Sequence, residues 1–235
     1  MRYFLISLLM AFSLLASACV PSKETWHQKL SLHIETPNGE IIASSVMGIR
    51  VDDASGTPFD LSGIGPLSFT EQGEAVVADL EQGRYLFALL TGSPDGLQGQ
   101  TREAYRDVYD AHTKKGKAWY AKWIRAVKAE KEPRVLPPHA YPMLVSFADI
   151  NDPKTVFEVD PSDLAASFGE GFALKLMILQ VTDEAVTKGS VEPYLPWLRN
   201  IWPNRLDGQR YGNRESKLKL ANSLSSGNFA TGVLK

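Results

Sequence analysis

Past Cys19 the chain contains no cysteine. A body folded downstream of that residue therefore forms no internal disulfide, and cysteine-based zinc sites and iron–sulfur clusters are excluded within one chain. Histidine is scarce: only His27, His33, His112 and His139 occur, and no two stand three or four apart, so there is no helical metal pair. A Walker loop, a G-x-G-x-x-G fingerprint and a repeat of fixed period are all missing. Gly92-Ser93-Pro94-Asp95-Gly96 lacks the glycine that a nucleophile elbow needs two places before its serine, because Thr91 stands there. It reads as a turn. Asp149-Ile150-Asn151-Asp152 starts like a calcium loop, but Pro153 and Lys154 fill the next ligand and glycine places and Asp160 the twelfth. An Asx turn before proline is the better reading. Positive charge is not in excess either. A net charge of −2, or −3 once Arg2 is removed, leaves no overall footprint for nucleic acid. No metal, no cofactor and no catalytic residue is assigned.

The N-terminus, by contrast, is rich in signal. Met1 and Arg2 precede an apolar run from Tyr3 to Leu15, broken only by Ser7 and Ser13. Its 13 residues suit the apolar region of a signal peptide and fall short of the ~20 needed to span a bilayer. Ala16-Ser17-Ala18 is a small-x-small cleavage pattern. Leu15-Ala16-Ser17-Ala18-Cys19 also resembles the lipobox of bacterial lipoproteins, departing from it only in Ala16, where leucine is usual. The resemblance implies lipidation at Cys19 by a diacylglyceryl and fatty acyl group such as palmitate. Secretion without lipid and an uncleaved N-terminal anchor remain alternatives. The expected layout is a signal peptide over 1–18, a short tether over 19–28 and a single globular region over 29–235, with any subdivision near 131–140.

Composition supports that body: 44% of residues are hydrophobic and 22% charged, enough for a core and unlike a disordered chain. Lys29 to Thr36 alternates, with Leu30, Leu32 and Ile34 inward and Ser31, His33 and Glu35 outward. Pro37-Asn38-Gly39-Glu40 then signals a hairpin, since Asn and Gly both tolerate positive φ. The second strand runs from Ile41 to Val51. Asp52–Gly73 and Gly92–Gln100 read as loops. Ala75–Leu80 and Tyr85–Leu90 are strands around residues 81–84, and Met143–Ile150 and Val156–Val159 are further strands. Asp160 is expected to cap a short helix with Pro161 at its first position. Phe172–Val181 reads as a central strand, and Val191–Ile201 as a short or broken helix. Loops and one late edge strand are expected after Pro203.

Between Thr101 and Glu130 the period changes. Tyr105, Val108/Tyr109, His112, Gly116, Trp119, Trp123 and Val127 recur at spacings of three and four, the stripe of one long amphipathic helix. From Arg102 to Arg134 ten basic residues face five acidic ones, a balance of +5. Lys114, Lys115, Lys117, Trp119, Lys122 and Trp123 interleave basic and aromatic side chains, as suits an anionic lipid surface or an acidic partner. A solvated face over a core stripe explains the same pattern. Together these elements predict an α+β fold, with a mainly antiparallel sheet, hairpins, one long amphipathic helix and short extra helices.

Phe147–Pro153, Val159–Leu164, Phe168–Gly171, Leu174-Lys175 and Val181–Thr187 form a block that resembles a pattern in a family of uncharacterised bacterial hypothetical proteins. It covers about residues 143–198 and implies a recurring structural unit, with no catalytic residue to carry over. The expected function is a membrane-anchored cell-envelope lipoprotein acting as a binding or accessory module. It would face the periplasm, at the outer rather than the inner membrane if the cell is Gram-negative, because Val20 and not aspartate follows Cys19. Its partners would be the membrane, through the N-terminal lipid, and an envelope protein, with no nucleic acid. Two alternatives stay open. One is a metal-independent carboxylate-based hydrolase, for which Asp160/Asp163 and Asp183/Glu184 are the acid pairs to hand. The other is an inhibitor or immunity-type partner protein.

Overall fold

The computed structural model describes residues 22–53, 67–90 and 124–234. The chain forms two compact units, Met1–Thr25 with Arg50–Thr70, and Trp26–Ile49 with Glu71–Lys235. The stretch 131–140, where any subdivision of a single region over 29–235 would fall, lies inside the larger unit. In chain order the strands are β1 (Ser22–Thr36), β2 (Gly39–Asp53), β3 (Leu67–Gln72), β4 (Val76–Asp79), β5 (Tyr85–Ala88), β6 (Arg134–Val135), β7 (Leu144–Phe147), β8 (Val156–Glu158) and β9 (Ala173–Thr182). The short helices are α1 (Leu164–Phe168), α2 (Leu198–Ile201) and α3 (Lys219–Ser223). One sheet has the order β3-β2-β1-β9-β6, the other β4-β5-β7-β8. The paired strands β1/β9, β6/β9, β4/β5, β5/β7 and β7/β8 are all antiparallel. Mainly antiparallel sheets with a few short helices are thus the architecture.

β1 keeps its expected alternation, with Leu30, Leu32 and Ile34 at most 1% exposed. It starts at Ser22 rather than Lys29, however, so the segment read as tether is strand from Ser22 onward. Trp26 and Gln28 continue the buried row, and the Trp26 indole N–H donates to Gln28 Oε1 at 3.3 Å. On β9, Met177 pairs with Leu32 but Leu174 with Ile34, leaving Lys175 as the extra residue of a bulge. Without that insertion the two-residue period would turn Leu174 away from the face Ile34 occupies. β9 lies between β1 and the two-residue β6, and its burial alternates instead of covering both faces.

The second sheet carries an aromatic core. Phe87 packs edge-on against Phe147 and Phe229 with ring centroids 5.8 Å apart, and Trp197 stands edge-on to Phe147 at 5.6 Å. Val145, Leu195, Leu198, Leu206 and Leu224 complete this buried cluster, with Trp197 partly buried against it. Burying each such side chain contributes roughly 1.5–3 kcal/mol, and edge-to-face geometry adds to it. The C-terminal segment closes the cluster by backbone pairing, with Ala75 N–H donating to Phe229 O at 2.7 Å and Thr231 N–H to Gly73 O at 3.0 Å.

Several elements differ from expectation. Only Gly39 of the Asn38-Gly39 pair takes positive φ, at 123°. Pro37 favours the first central position of the turn and draws it one residue back, and the Thr36 hydroxyl closes it by donating to Gly39 O at 2.8 Å. β3 forms at Leu67–Gln72, where a loop was expected. Asp163, not Asp160, caps α1, accepting from Ala166 N–H at 3.0 Å. Past Pro203 the chain builds α3, 3₁₀ turns and isolated bridges, with no late edge strand among the described residues. Most of the long helix expected over 101–130 lies outside the described residues. Within them, residues 124–129 are helical, with Ile124 and Val127 buried, and there is no long helix. Among the described residues no helix is long and apolar enough to cross a membrane.

The β4–β5 turn concentrates backbone strain. Glu81, Gln82 and Gly83 take φ of 67°, 52° and 75° in succession, and Leu80 N–H closes the loop onto Arg84 O at 2.9 Å. Glu81 is held by Asn38, whose amide donates to its carboxylate at 2.6 Å. Gln82 is exposed, with left-handed backbone that a side chain disfavours. Gln82→Gly should therefore stabilise the fold by about 0.5–1 kcal/mol, the left-handed penalty less the entropy glycine adds to the unfolded chain. Urea denaturation measures it, as a higher midpoint at unchanged slope.

Candidate functional site

The residues singled out from sequence, Cys19 and the set Lys114, Lys115, Lys117, Trp119, Lys122 and Trp123, lie outside the described residues, as does His112. His27 Nδ1 lies 2.6 Å from Glu184 O, and His33 Nδ1 is 2.9 Å from the Glu40 carboxylate. Among the described residues no group of three or more His, Cys, Asp or Glu side chains is placed to hold a metal ion.

The acid pairs are spent on local structure. Asp149 Oδ1 accepts from Asn151 N–H at 2.9 Å, forming the Asx turn, and Asp152 caps the 3₁₀ turn at Pro153–Thr155 by accepting from Lys154 N–H at 3.0 Å. After β9, Asp183 pairs with Lys131 at 2.9 Å and Glu184 with Lys29 at 2.9 Å. Asp160 lines an open depression of about 400 Å³ with Glu158, Val159 and Pro161. Its Oδ1 accepts from the Ser162 hydroxyl at 2.7 Å and from Ser162 N–H at 2.8 Å. The hydroxyl first, and then the amide, hold its carboxyl below the usual aspartate range. A carboxylate so stabilised stays ionised near neutrality and is a poor proton donor.

Among the described residues, the most constrained acid is one without a sequence motif. Glu74 follows Gly73 at the entry to β4 and is only 6% exposed. Its carboxylate sits in the loop after β9, accepting from Gly189 N–H at 2.5 Å, Ser190 N–H at 2.6 Å, the Ser190 hydroxyl at 2.6 Å and Val191 N–H at 3.2 Å. Successive backbone amides make an anion-binding concavity, here filled by the chain's own carboxylate. With four donors bound, it clamps the entry to β4 onto the loop after β9. The signal available in sequence is an acid wedged between Gly73 and an apolar strand, together with the Gly189-Ser190 turn.

A second buried polar centre organises the C-terminal loops. Asn222 donates to Asp207 Oδ2 at 2.7 Å and accepts from Asn213 N–H at 2.5 Å. Asp207 Oδ1 accepts from Gln209 N–H at 2.9 Å, and the Ser216 hydroxyl reaches Asp207 Oδ2 at 3.4 Å. The loops they fix carry Tyr211, 77% exposed, and Leu218, 44% exposed, with Trp202 just upstream at 42%.

Two outcomes follow from this geometry. Glu74→Gln turns an N–H₂ group toward amide donors and should cost about 2–3 kcal/mol, read as a lowered urea midpoint. For Asp160, folding lowers the carboxyl's titration. Its contribution is therefore in place above the ordinary aspartate range and lost as pH falls through the lowered folded value. Ser162→Ala should move the Asp160 carboxyl back up toward that range, followed by its ¹³C chemical shift against pH.

No protein-family model, no curated protein and no solved structure matches this chain.

Proposed function

We propose that this chain is a cell-envelope lipoprotein, held at the membrane through an acylated Cys19, whose folded body is a binding or accessory module. The observation that carries the reading is Leu15-Ala16-Ser17-Ala18-Cys19 at the end of the apolar run, with no other cysteine in the chain. An acyl group accounts for an exported protein with a single thiol. The block at about 143–198, which resembles a pattern in uncharacterised bacterial hypothetical proteins, would be a recurring structural unit of that body. The basic-aromatic set Lys114, Lys115, Lys117, Trp119, Lys122 and Trp123 would offer a surface for lipid or an acidic envelope partner. Facing the periplasm from the outer membrane suits Val20 after Cys19 in a Gram-negative cell.

Binding is favoured over carboxylate hydrolysis by what the named acids do. Asp149, Asp152, Asp160, Asp163, Asp183 and Glu184 hold turns, a helix cap and ion pairs. Such groups position chain rather than substrate.

Metabolic labelling with a fatty acid tests the anchor. Label is expected on the wild-type chain and missing from Cys19→Ala. A wild-type protein that takes up no label overturns the lipoprotein reading.

A further inference from the structure

Three of the five large apolar side chains exposed among the described residues, Trp202, Tyr211 and Leu218, fall between positions 202 and 218. Charge in that stretch is biased toward the basic, with Glu215 its one exposed acid. From Arg205 to Lys219 five basic residues face two acidic ones, and beyond Glu215 the chain carries no further acid. Asp207, one of the two acids, is turned inward onto Asn222 and Gln209. Arg210, Arg214 and Lys217 are exposed. The loop is nonetheless built, because the Asp207–Asn222 centre pins it at Gln209, Asn213 and Ser216.

We infer that the loop carrying Arg210, Tyr211, Arg214, Lys217 and Leu218 is a second membrane contact, docking the folded body on an anionic phospholipid surface. Exposed basic side chains interspersed along the loop with exposed aromatic and apolar ones match the chemistry of such a surface, with charges at the headgroups and Tyr and Trp at the interface. Each basic residue near an anionic leaflet strengthens contact roughly fivefold, so three of them give on the order of a hundredfold. The inference rests on the envelope reading for its lipid. The distance from Cys19 to the start of β1 at Ser22 is three residues, at most ~11 Å when extended, so an acylated chain would hold the body at the membrane.

The test uses the full chain with Cys19→Ser and Tyr211→Cys, so that the sole thiol carries an environment-sensitive NBD fluorophore. The labelled chain is reconstituted into vesicles of phosphatidylcholine alone or with phosphatidylglycerol. The expected result is a blue shift and brightening only with phosphatidylglycerol, lost at about 1 M salt, where the Debye length is ~3 Å. Arg210→Glu/Arg214→Glu/Lys217→Glu should abolish the shift, and Arg210→Lys/Arg214→Lys/Lys217→Arg should keep it. The same emission in both vesicles, or a shift indifferent to salt, overturns the proposal, including the case in which the loop binds an acidic protein instead. Because Cys19 is replaced, the outcome does not depend on whether fatty-acid labelling succeeds.

Discussion

Taking a carboxylate out of water costs several kcal/mol unless its lone pairs are refilled, and Glu74 is accommodated only because the 189–191 loop presents three amides and a hydroxyl to it. The dependence runs both ways. Gly189, Ser190 and Val191 belong to no strand or helix, so without Glu74 their N–H groups would lack these partners. The main chain of the same residue is also engaged, since Ser45 on β2 donates its hydroxyl to Glu74 O at 2.7 Å and Glu74 bridges to Ala230. One residue therefore ties β2, the entry to β4, the loop after β9 and the C-terminal segment. The aromatic cluster of Phe87, Phe147, Trp197 and Phe229 can pack only once those segments are in place, because Phe229 arrives on the C-terminal segment and Trp197 on the chain after the loop.

What sequence made legible was whatever is periodic. Leu30, Leu32 and Ile34 announce a strand, and so do the pairs flanking residues 81–84, because apolar alternation is decided locally. The bounds of β1 were missed because Gln28 hides among polar residues while being fully buried, its amide bonded to Trp26. Hydropathy cannot register a polar side chain that finds its partner inside. The start of α1 was misplaced because two aspartates compete for it. Asp160 folds back on Ser162 two residues on, the Asx turn that also suits a following proline, which leaves Asp163 to cap the helix. The lipobox-like site is legible as residues in order, whereas Glu74 and Asn222 are not, since their partners stand 115 and 15 residues away.

The two buried polar centres solve one problem. A chain segment with few strands must still satisfy its backbone groups, and short helices and 3₁₀ turns leave many of them open. Glu74 does this for the loop after β9, and Asp207 with Asn222 does it for the loops between α2 and α3. Side chains that bond backbone leave the outward positions of those loops without a structural duty. That freedom explains why Tyr211 and Leu218 remain exposed on a loop fixed from beneath. An apolar group on a floppy segment would fold back against the body to hide its surface. With Asn213 N–H held by Asn222 and Ser216 by Asp207, the backbone on either side of Arg214 is anchored, and that collapse would break both bonds. The inner polar network thus sets the course of the loop: it ties the chain at Gln209, Asn213 and Ser216, and a loop whose backbone is already ordered would lose less entropy on docking than a mobile one.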